Sequence, residues 1–446
     1  MELLNEEFLV YVTVFLLCGL VVFLYLRQQS KISRATQDKV SRAKEEGLFE
    51  PVSLHPYIDL NVCIGSAACV SACPEKDIIG ISDGKATLIN SSNCVGHGAC
   101  FHSCPVEAIS LRIGTESRGV ELPHVNQNYE TNVGGIYIAG ELGGMGLIRN
   151  SVEQGRQAID SIVKSGRRGV GEVIDVAIIG AGPAGISATL ACKKNGLSSI
   201  TLEQESLGGT VFTFPRSKVV MTSPMELPLY GKVKLYDTSK EELLNLWKEV
   251  ISKHDITIKE NTKVESIIPQ ENKTFKLTTK NGDEYIAANV LIAIGRRGSP
   301  RKLNIPGEDS TKVAYRLLEP EQISGEHVVV VGGGDSAMEA AMLLMQNNDV
   351  TLLVRSDKFT RSKPKNRENA QKAIDGGKMK VVFNSSLMAI NPEDCIYQIS
   401  GQEESVQLKN DRVYIFAGGV MPTAFLERSG IQITKRFGHI MKKHGS

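Results

Sequence analysis

The sequence predicts an α/β chain with two doubly wound parallel-sheet units, a small cysteine-rich α+β unit ahead of them, and one membrane-length helix at the start. Three observations carry the prediction: two strand–glycine turn–helix stretches near residues 175 and 327, a doubled cysteine motif between Cys63 and Cys104, and a charge-free apolar run from Phe8 to Leu26. A length of 446 residues suits about three domains. The net charge of +1 leaves no whole-chain basic surface, so no nucleic-acid partner is expected.

The first glycine stretch is DVAIIGAGPAGISATLACKKNGLSSITLEQ, Asp175 to Gln204. Val176 to Ile179 is a short apolar run suited to a strand buried on both faces. Gly180, Gly182 and Gly185 follow at GxGxxG spacing, with Pro183 and Ala184 opening a helix. The first glycine permits the turn and the second lets backbone approach a pyrophosphate. The third lets the helix pack on the strand, and the helix N-terminus then stabilises phosphate charge. Glu203 ends the next strand, 23 residues beyond Gly180, near the spacing at which a carboxylate meets an adenosine ribose. Together these features read as a dinucleotide site rather than a plain βαβ unit.

At the start of the chain, Phe8 to Leu26 is 19 residues without a charge, about 28 Å as a helix, close to the hydrocarbon thickness of a bilayer. Glu2, Glu6 and Glu7 precede it, whereas Arg27, Lys31, Arg34, Lys39, Arg42 and Lys44 follow. The positive-inside rule therefore expects a single-pass membrane protein with its bulk in the cytoplasm. A cleaved signal peptide would want a basic start and a small-residue cleavage site, and neither is present. Arg27 to Glu46 suits a helix along the membrane surface or a solvated stalk.

Of nine cysteines, six fall in two matching copies, CIGSAACVSACPEKDI from Cys63 and CVGHGACFHSCPVEAI from Cys94, offset by 31 residues. Such clustering points to metal rather than to a disulfide framework. The doubled unit resembles the two-cluster bacterial ferredoxin, with its CxxCxxCxxxCP repeat and a fourth cysteine that crosses to the other cluster. The resemblance implies one site from Cys63, Cys69 and Cys104, and another from Cys94, Cys100 and Cys73. In both copies the second cysteine is replaced, by Ser66 and by His97. Three outcomes fit: a [3Fe-4S] cluster, a [4Fe-4S] cluster with Ser66 or His97 on the fourth iron, or an empty site. His97 is the better candidate ligand, because neutral imidazole binds iron readily whereas a serine hydroxyl is a poor ligand unless deprotonated. Three cysteines and a histidine would also suit zinc, but the doubled spacing with Pro74 and Pro105 favours iron–sulfur.

The stretch TNVGGIYIAGELGGMGLIRNSVEQ, Thr131 to Gln154, reads as a strand that ends in Gly140 and Glu141 before a glycine-rich entry to a helix. It resembles the second flavin motif of thioredoxin-reductase-like flavoproteins, whose acid contacts the ribityl chain and pyrophosphate of FAD; the alternative is a flexible glycine loop. That motif sits near the C-terminus in the family and comes first here. The resemblance therefore implies a circular permutation, joined through KSGRRGVGEV, Lys164 to Val173. It also implies that Gly208, Gly209 and Thr210 approach the flavin ring. A second fingerprint follows in HVVVVGGGDSAMEAAMLLMQNNDVTLLVRSDKF. Gly332, Gly334 and Ala337 give GxGxxA, with Asp335 and Ser336 at the helix start. No acid ends its second strand, and Arg355 and Arg361 suit a 2′-phosphate, hence NADPH over NADH.

The expected domains are residues 1–50, helix and basic stalk; 51–116, the ferredoxin-type unit; 117–300 with 411–446, the FAD-binding fold; and 301–410, the NAD(P)H-binding fold. Thioredoxin reductases carry a CxxC just before the second fingerprint, but Tyr315 to Val331 contains no cysteine. Cys192 and Cys395 read as core or surface residues. The expected activity is therefore NAD(P)H oxidation through FAD and the clusters, to or from a redox protein or membrane electron carrier, in a chain that could form a homodimer. The alternatives are a low-molecular-weight disulfide reductase with structural clusters and a non-enzymatic redox sensor. No side-chain acid or base is required for the hydride step.

Overall fold

The computed structural model describes residues 2–444 apart from 46–48, 52–53, 76, 95, 118, 145, 215–218, 223, 297–298, 360–361 and 363. The chain forms two compact units, residues 1–118 with 437–446, and residues 119–436.

In the first unit, α1 is a continuous helix, Glu2–Glu45. Its apolar run is exposed along Val10 to Leu26, and this helix is long and apolar enough to cross a membrane. The basic continuation is not a solvated stalk: it stays helical, buries Thr36 and Ala43, and sets Thr36 against Gly80 of the cysteine-rich fold. A Cβ on Gly80 would stand 2.8 Å from the Thr36 methyl, so glycine is what lets the helix close on the hairpin Ile79–Ser82/Lys85–Leu88. Short helices α2, Ala68–Ala72, and α3, Ala99–His102, follow the two cysteine turns. A three-stranded antiparallel sheet pairs His55–Ile58 and His439–Lys442 with opposite edges of Ile109–Ile113. The end of the chain, expected with the FAD-binding fold, therefore belongs here. Its strand satisfies an otherwise open edge, and His444 stacks on Phe101 with ring centroids 3.7 Å apart.

The second unit holds two parallel sheets. In the first, Ile258–Lys259, Ser199–Leu202, Ile174–Ile179 and Glu284–Ile292 lie side by side, and Ile136–Ile138 pairs in parallel with the C-terminal half of the last of these. Two antiparallel strands, Phe275–Thr279 and Val264–Pro269, extend from its N-terminal half. Helix α4, Ile148–Ser165, crosses α5, Pro183–Lys194, so closely that a Cβ on Gly155 would stand 2.1 Å from the Ala184 carbonyl oxygen. Helix α6, Lys240–Lys253, is capped by the Ser239 hydroxyl, which accepts from the Glu242 N–H, and it buries Leu243, Leu244, Trp247 and Val250. Trp247 is packing, as its helical spacing suggests.

The second sheet orders Val313–Ala314, Arg412–Ile415, His327–Val331, Asp349–Leu353 and Lys380–Val382, all parallel. Helix α7, Asp335–Leu344, packs Ala337, Met338 and Ala341 on it. The boundary expected at residue 411 moves accordingly: Arg412–Ile415 pairs with His327–Val331 and stays with this sheet. The crossing between the sheets is made by Ser299–Pro300 against Gly419–Val420, after which Leu426 and Ile431 join the core of the first sheet.

Candidate functional site

The two cysteine turns repeat in backbone as well as in sequence. Gly65 and Ala67 have φ of 68° and 58°, and Gly96 and Gly98, 31 residues on, have φ of 74° and 78°. These left-handed residues curl each turn so that successive cysteines face inward. Cys63, Cys69 and Cys104 line one cavity, as the ferredoxin crossing implies, and Ser66 lines it with them. The Ala86 N–H donates to Cys63 Sγ at 3.4 Å and the Ala108 N–H to Cys104 Sγ at 3.3 Å, which fixes the direction of both sulfurs. In the other set, Cys94 and Cys73 act electrostatically on Cys100; burial pushes Cys100 up to about 12 and Cys94 up to about 11. Thiols held so far from ionisation in a buried site need a cation to become thiolates, which is what iron supplies. Among the described residues, no three His, Cys, Asp or Glu side chains are placed to hold a single metal ion. A cluster, whose thiolates each take a separate iron, fits this spacing better than zinc.

His97 does not line the first cavity. Burial lowers its pKa against the opposing charge of Glu75, which favours the neutral imidazole. Glu75 also raises Cys73 and Cys94, so it stands beside the second set, a residue the sequence reading missed. Its signal was the asymmetry of the repeat: Val106 occupies the matching position and lines the first cavity.

In the second unit, Ile174–Ile179 delivers Gly180, φ 104°, to a turn where a Cβ would stand 2.6 Å from the Ala293 carbonyl oxygen. A Cβ on Gly185 would stand 1.8 Å from the Gly180 oxygen, so α5 seats directly on the strand. Pro183 takes the first turn of α5 after Gly182. Glu203 is buried and closes the turn: Oε2 accepts from the Ala181 N–H at 2.7 Å and Oε1 from the Glu205 N–H at 3.0 Å. Burial raises its pKa while those donors oppose the rise. Gly208 donates its N–H to the Ala181 oxygen at 2.9 Å, and a Cβ on Gly209 would stand 3.3 Å from Gly182 Cα. Thr210 is exposed beside them. Gly140, φ 86°, lies 3.2 Å by the same measure from the Ala184 methyl, and its N–H donates to Gln154 Oε1 at 2.8 Å. Glu141 follows, and Arg296, desolvated, feels its charge. The residues from before and after the fingerprint therefore meet at one turn.

At the second fingerprint, Gly332 has φ 142° and a Cβ there would stand 2.6 Å from the Phe416 oxygen, while Ala337 is fully buried behind it. Gly334 caps α7, Asp335 accepts from Asn366 Nδ2 at 2.8 Å, and Ser336 is exposed at the helix start. Arg355 is exposed just past the second strand; Arg361 lies outside the described residues. Arg316, before the second fingerprint, pairs with Glu205, after the first, a link across the two folds that the sequence reading did not find. Cys192 and Cys395 are fully buried, and burial pushes their thiols up to about 12 and about 11. Neither is a reactive dithiol.

Residues 177–443 match the family described as pyridine nucleotide-disulphide oxidoreductase. The chain belongs to that family. Residues 55–105 match a 4Fe-4S dicluster domain, so this oxidoreductase carries an iron–sulfur domain ahead of its flavin-binding fold. Bacilliredoxin reductase Bdr of Bacillus subtilis is 26% identical over 266 residues, 58% of this chain and 82% of its own. A ferredoxin–NADP reductase of Ignicoccus hospitalis is 31% identical over 186 residues, 42% of this chain and 57% of its own. The solved bacillithiol disulfide reductase Bdr (YpdA) from Staphylococcus aureus covers 60% of this chain and 85% of its own, with 25% identity and a TM-score of 0.51. The oxidoreductase is thus a thioredoxin-reductase-like, flavin-dependent enzyme without the CxxC of that group.

Proposed function

We propose that this enzyme oxidises NAD(P)H at the second fingerprint and exchanges the electrons with a membrane-associated partner through two iron–sulfur sites, one held by Cys63, Cys69 and Cys104, the other by Cys73, Cys94 and Cys100. FAD takes two electrons as hydride and releases them singly, and iron–sulfur clusters carry one at a time. The reading is supported by two features of one chain: no CxxC at either fingerprint, and Cys63, Cys69 and Cys104 lining one cavity beside a second repeat copy with three cysteines. Gly180 to Gly185 and Gly140 would receive the flavin pyrophosphate, with Glu203 holding the turn. Gly332 to Ala337 would receive the nicotinamide dinucleotide. Arg355, exposed where an acid would otherwise select NADH, favours NADPH. With α1 spanning a bilayer, the basic residues after Leu26 keep both units cytoplasmic.

The test is anaerobic absorption and EPR spectroscopy on detergent-purified full-length protein, with iron, sulfide and flavin counted before and after NADPH. Flavin bleaching with reduction of one or two clusters is the expected result. Bleaching in a protein that holds no iron or sulfide would remove the electron-transfer role of Cys63 to Cys104. The likeness to bacilliredoxin and bacillithiol disulfide reductases supports a second reading, reduction of a low-molecular-weight disulfide beside structural clusters. Rapid NADPH consumption with bacillithiol disulfide and none with one-electron acceptors would select it.

A further inference from the structure

Within the first unit, α1 and the cysteine-rich fold share a fixed register. Ser33 Oγ donates to Asp83 Oδ1 at 3.1 Å, and Gln37 Nε2 donates to Ser82 Oγ at 3.1 Å and Asp83 Oδ2 at 3.0 Å. Further along α1, Thr36 packs on Gly80, and Lys39 pairs with Asp77 at 2.5 Å. The strand Ile79–Ser82 therefore runs back along the helix, and the Asp83–Gly84 turn is the end of the unit nearest the apolar run. Cys63 belongs to that end. A Cβ on Gly65 would stand 2.0 Å from the Gly84 oxygen, Lys85 Nζ donates to the Cys63 oxygen at 2.6 Å, and the Ala86 N–H donates to its sulfur. The second set hangs from the opposite end: Asn90, four residues before Cys94, donates its N–H to the Asp77 oxygen at 3.1 Å, and Cys73 lies four residues before Asp77.

Beside Cys63 three large apolar side chains stand out to solvent, between the exposed Asp59, Asn61 and Ser66. Leu60, Val62 and Ile64 are 56%, 44% and 62% exposed. Ser33 lies seven residues past Leu26, a rise of about 10 Å, and a headgroup layer is roughly 5–8 Å deep. A helix tilt of ~20° shortens that rise by well under 1 Å. The gap left above the lipid is a few ångströms, whereas one protein layer packed on another needs ~10 Å. No folded partner fits there, and Arg27, Lys31 and Arg34 line the approach with charge that suits anionic headgroups.

We infer that the Leu60–Ile64 loop rests on the lipid surface, so that the site formed by Cys63, Cys69 and Cys104 is the membrane-side terminus and the site formed by Cys73, Cys94 and Cys100 is the inner one. This rests on the reading of α1 as a membrane span. The test uses the full-length holoprotein in liposomes of phosphatidylcholine and phosphatidylglycerol, a lipid-dissolved carbene photoprobe, and peptide mapping by mass spectrometry. Label is expected on α1 and on the Leu60–Ile64 peptide. Leu60→Glu with Val62→Glu should cut loop labelling by about fivefold or more, at unchanged α1 labelling and unchanged iron and flavin content. Label on α1 with the wild-type loop at background overturns the inference and leaves the membrane reading standing. Absence of label from α1 overturns both.

Discussion

Replacing Glu203 with glutamine tests the construction of the flavin-side turn. Two backbone N–H groups, from Ala181 and Glu205, converge on its two oxygens at 2.7 and 3.0 Å. A carboxylate accepts at both. Glutamine has one oxygen and one NH2, so one of the two donors must face another donor. With Ala181 fully buried and Glu203 only 5% exposed, water is a poor substitute. A buried donor left without an acceptor costs about 1–3 kcal/mol, and the cost falls on the turn whether or not flavin is bound. Glu203→Gln should therefore lower the unfolding free energy of the flavoprotein by that amount. The same range in flavin affinity is roughly 5- to 150-fold, if the turn must be rebuilt to receive the pyrophosphate. Urea denaturation and flavin titration of the stripped protein measure the two quantities. Glu203→Ala, which abandons both donors, should be worse than Glu203→Gln in both. An unfolding free energy for Glu203→Gln within about 0.5 kcal/mol of wild type, the ordinary scatter of neutral substitutions, would refute the account.

Gly155→Ala should destabilise by about 1–3 kcal/mol despite its better helix propensity, because its Cβ meets the backbone of Ala184 and not a movable side chain; the thermal melt reads the loss. Ser66→Cys should place a fourth thiolate in the cavity of Cys63, Cys69 and Cys104, so that mild oxidant converts the wild-type site to a three-iron form by EPR and leaves the variant resistant. Glu308 is buried, a setting that by itself raises a carboxyl pKa, but N–H groups of Leu303 and Asn304 at 2.7 and 2.6 Å and the Tyr315 hydroxyl at 2.7 Å hold it below its ordinary value. A depressed carboxyl contributes stability above its unfolded pKa of about 4.3 and loses it as pH falls through the folded value. Denaturation from pH 7 down to pH 3.5 should show Glu308→Gln weaker at neutral pH and flatter on the acid side than wild type.

Both fingerprints were legible because each is local: strand, glycines and helix lie within 20 residues, and the close approaches at Gly180, Gly185 and Gly332 are made to backbone that any sequence supplies. The repeat is also what brings Cys104 into consideration with Cys63 and Cys69, whose cavity it lines. What escaped reading depends on contacts between distant residues. Arg316 and Glu205 are 111 positions apart, and nothing in either neighbourhood announces the pair. The last strand looked like a flavoprotein tail because its short HIMK run, His439–Lys442, directly follows Ile433–Arg436, which does pair within the second unit, with Val120–Pro123; only the vacant side of Ile109–Ile113 decides it. The choice between Ser66 and His97 was weighed on ligand chemistry, whereas the structure adds position, seating Ser66 in a three-thiol cavity and His97 beside Glu75.

The polar junction between α4 and the first fingerprint strand is what the permuted order expected from the sequence would require. The family match begins at Ala177, yet Ile136–Ile138 and α4, which precede it, complete the same sheet and the same helix layer. The connection must bring the end of α4 to Ile174 without leaving backbone groups unpaired under a sheet edge. Residues 166–173 do this with side chains. Asp175 accepts from the Gly169 N–H at 2.8 Å and pairs with Arg168 at 3.5 Å, and Arg167 donates to the Gly134 oxygen at 2.9 Å. Asn289, fully buried in the neighbouring strand, donates to the Arg167 oxygen at 2.9 Å and the Asp175 oxygen at 3.0 Å, holding both sides of the joint with one amide. The join is thus a built element of the fold rather than a slack tether. Because the strand before α4 ends in Gly140 and Glu141, the segment that follows the iron–sulfur domain in sequence is itself a wall of the first fingerprint's turn.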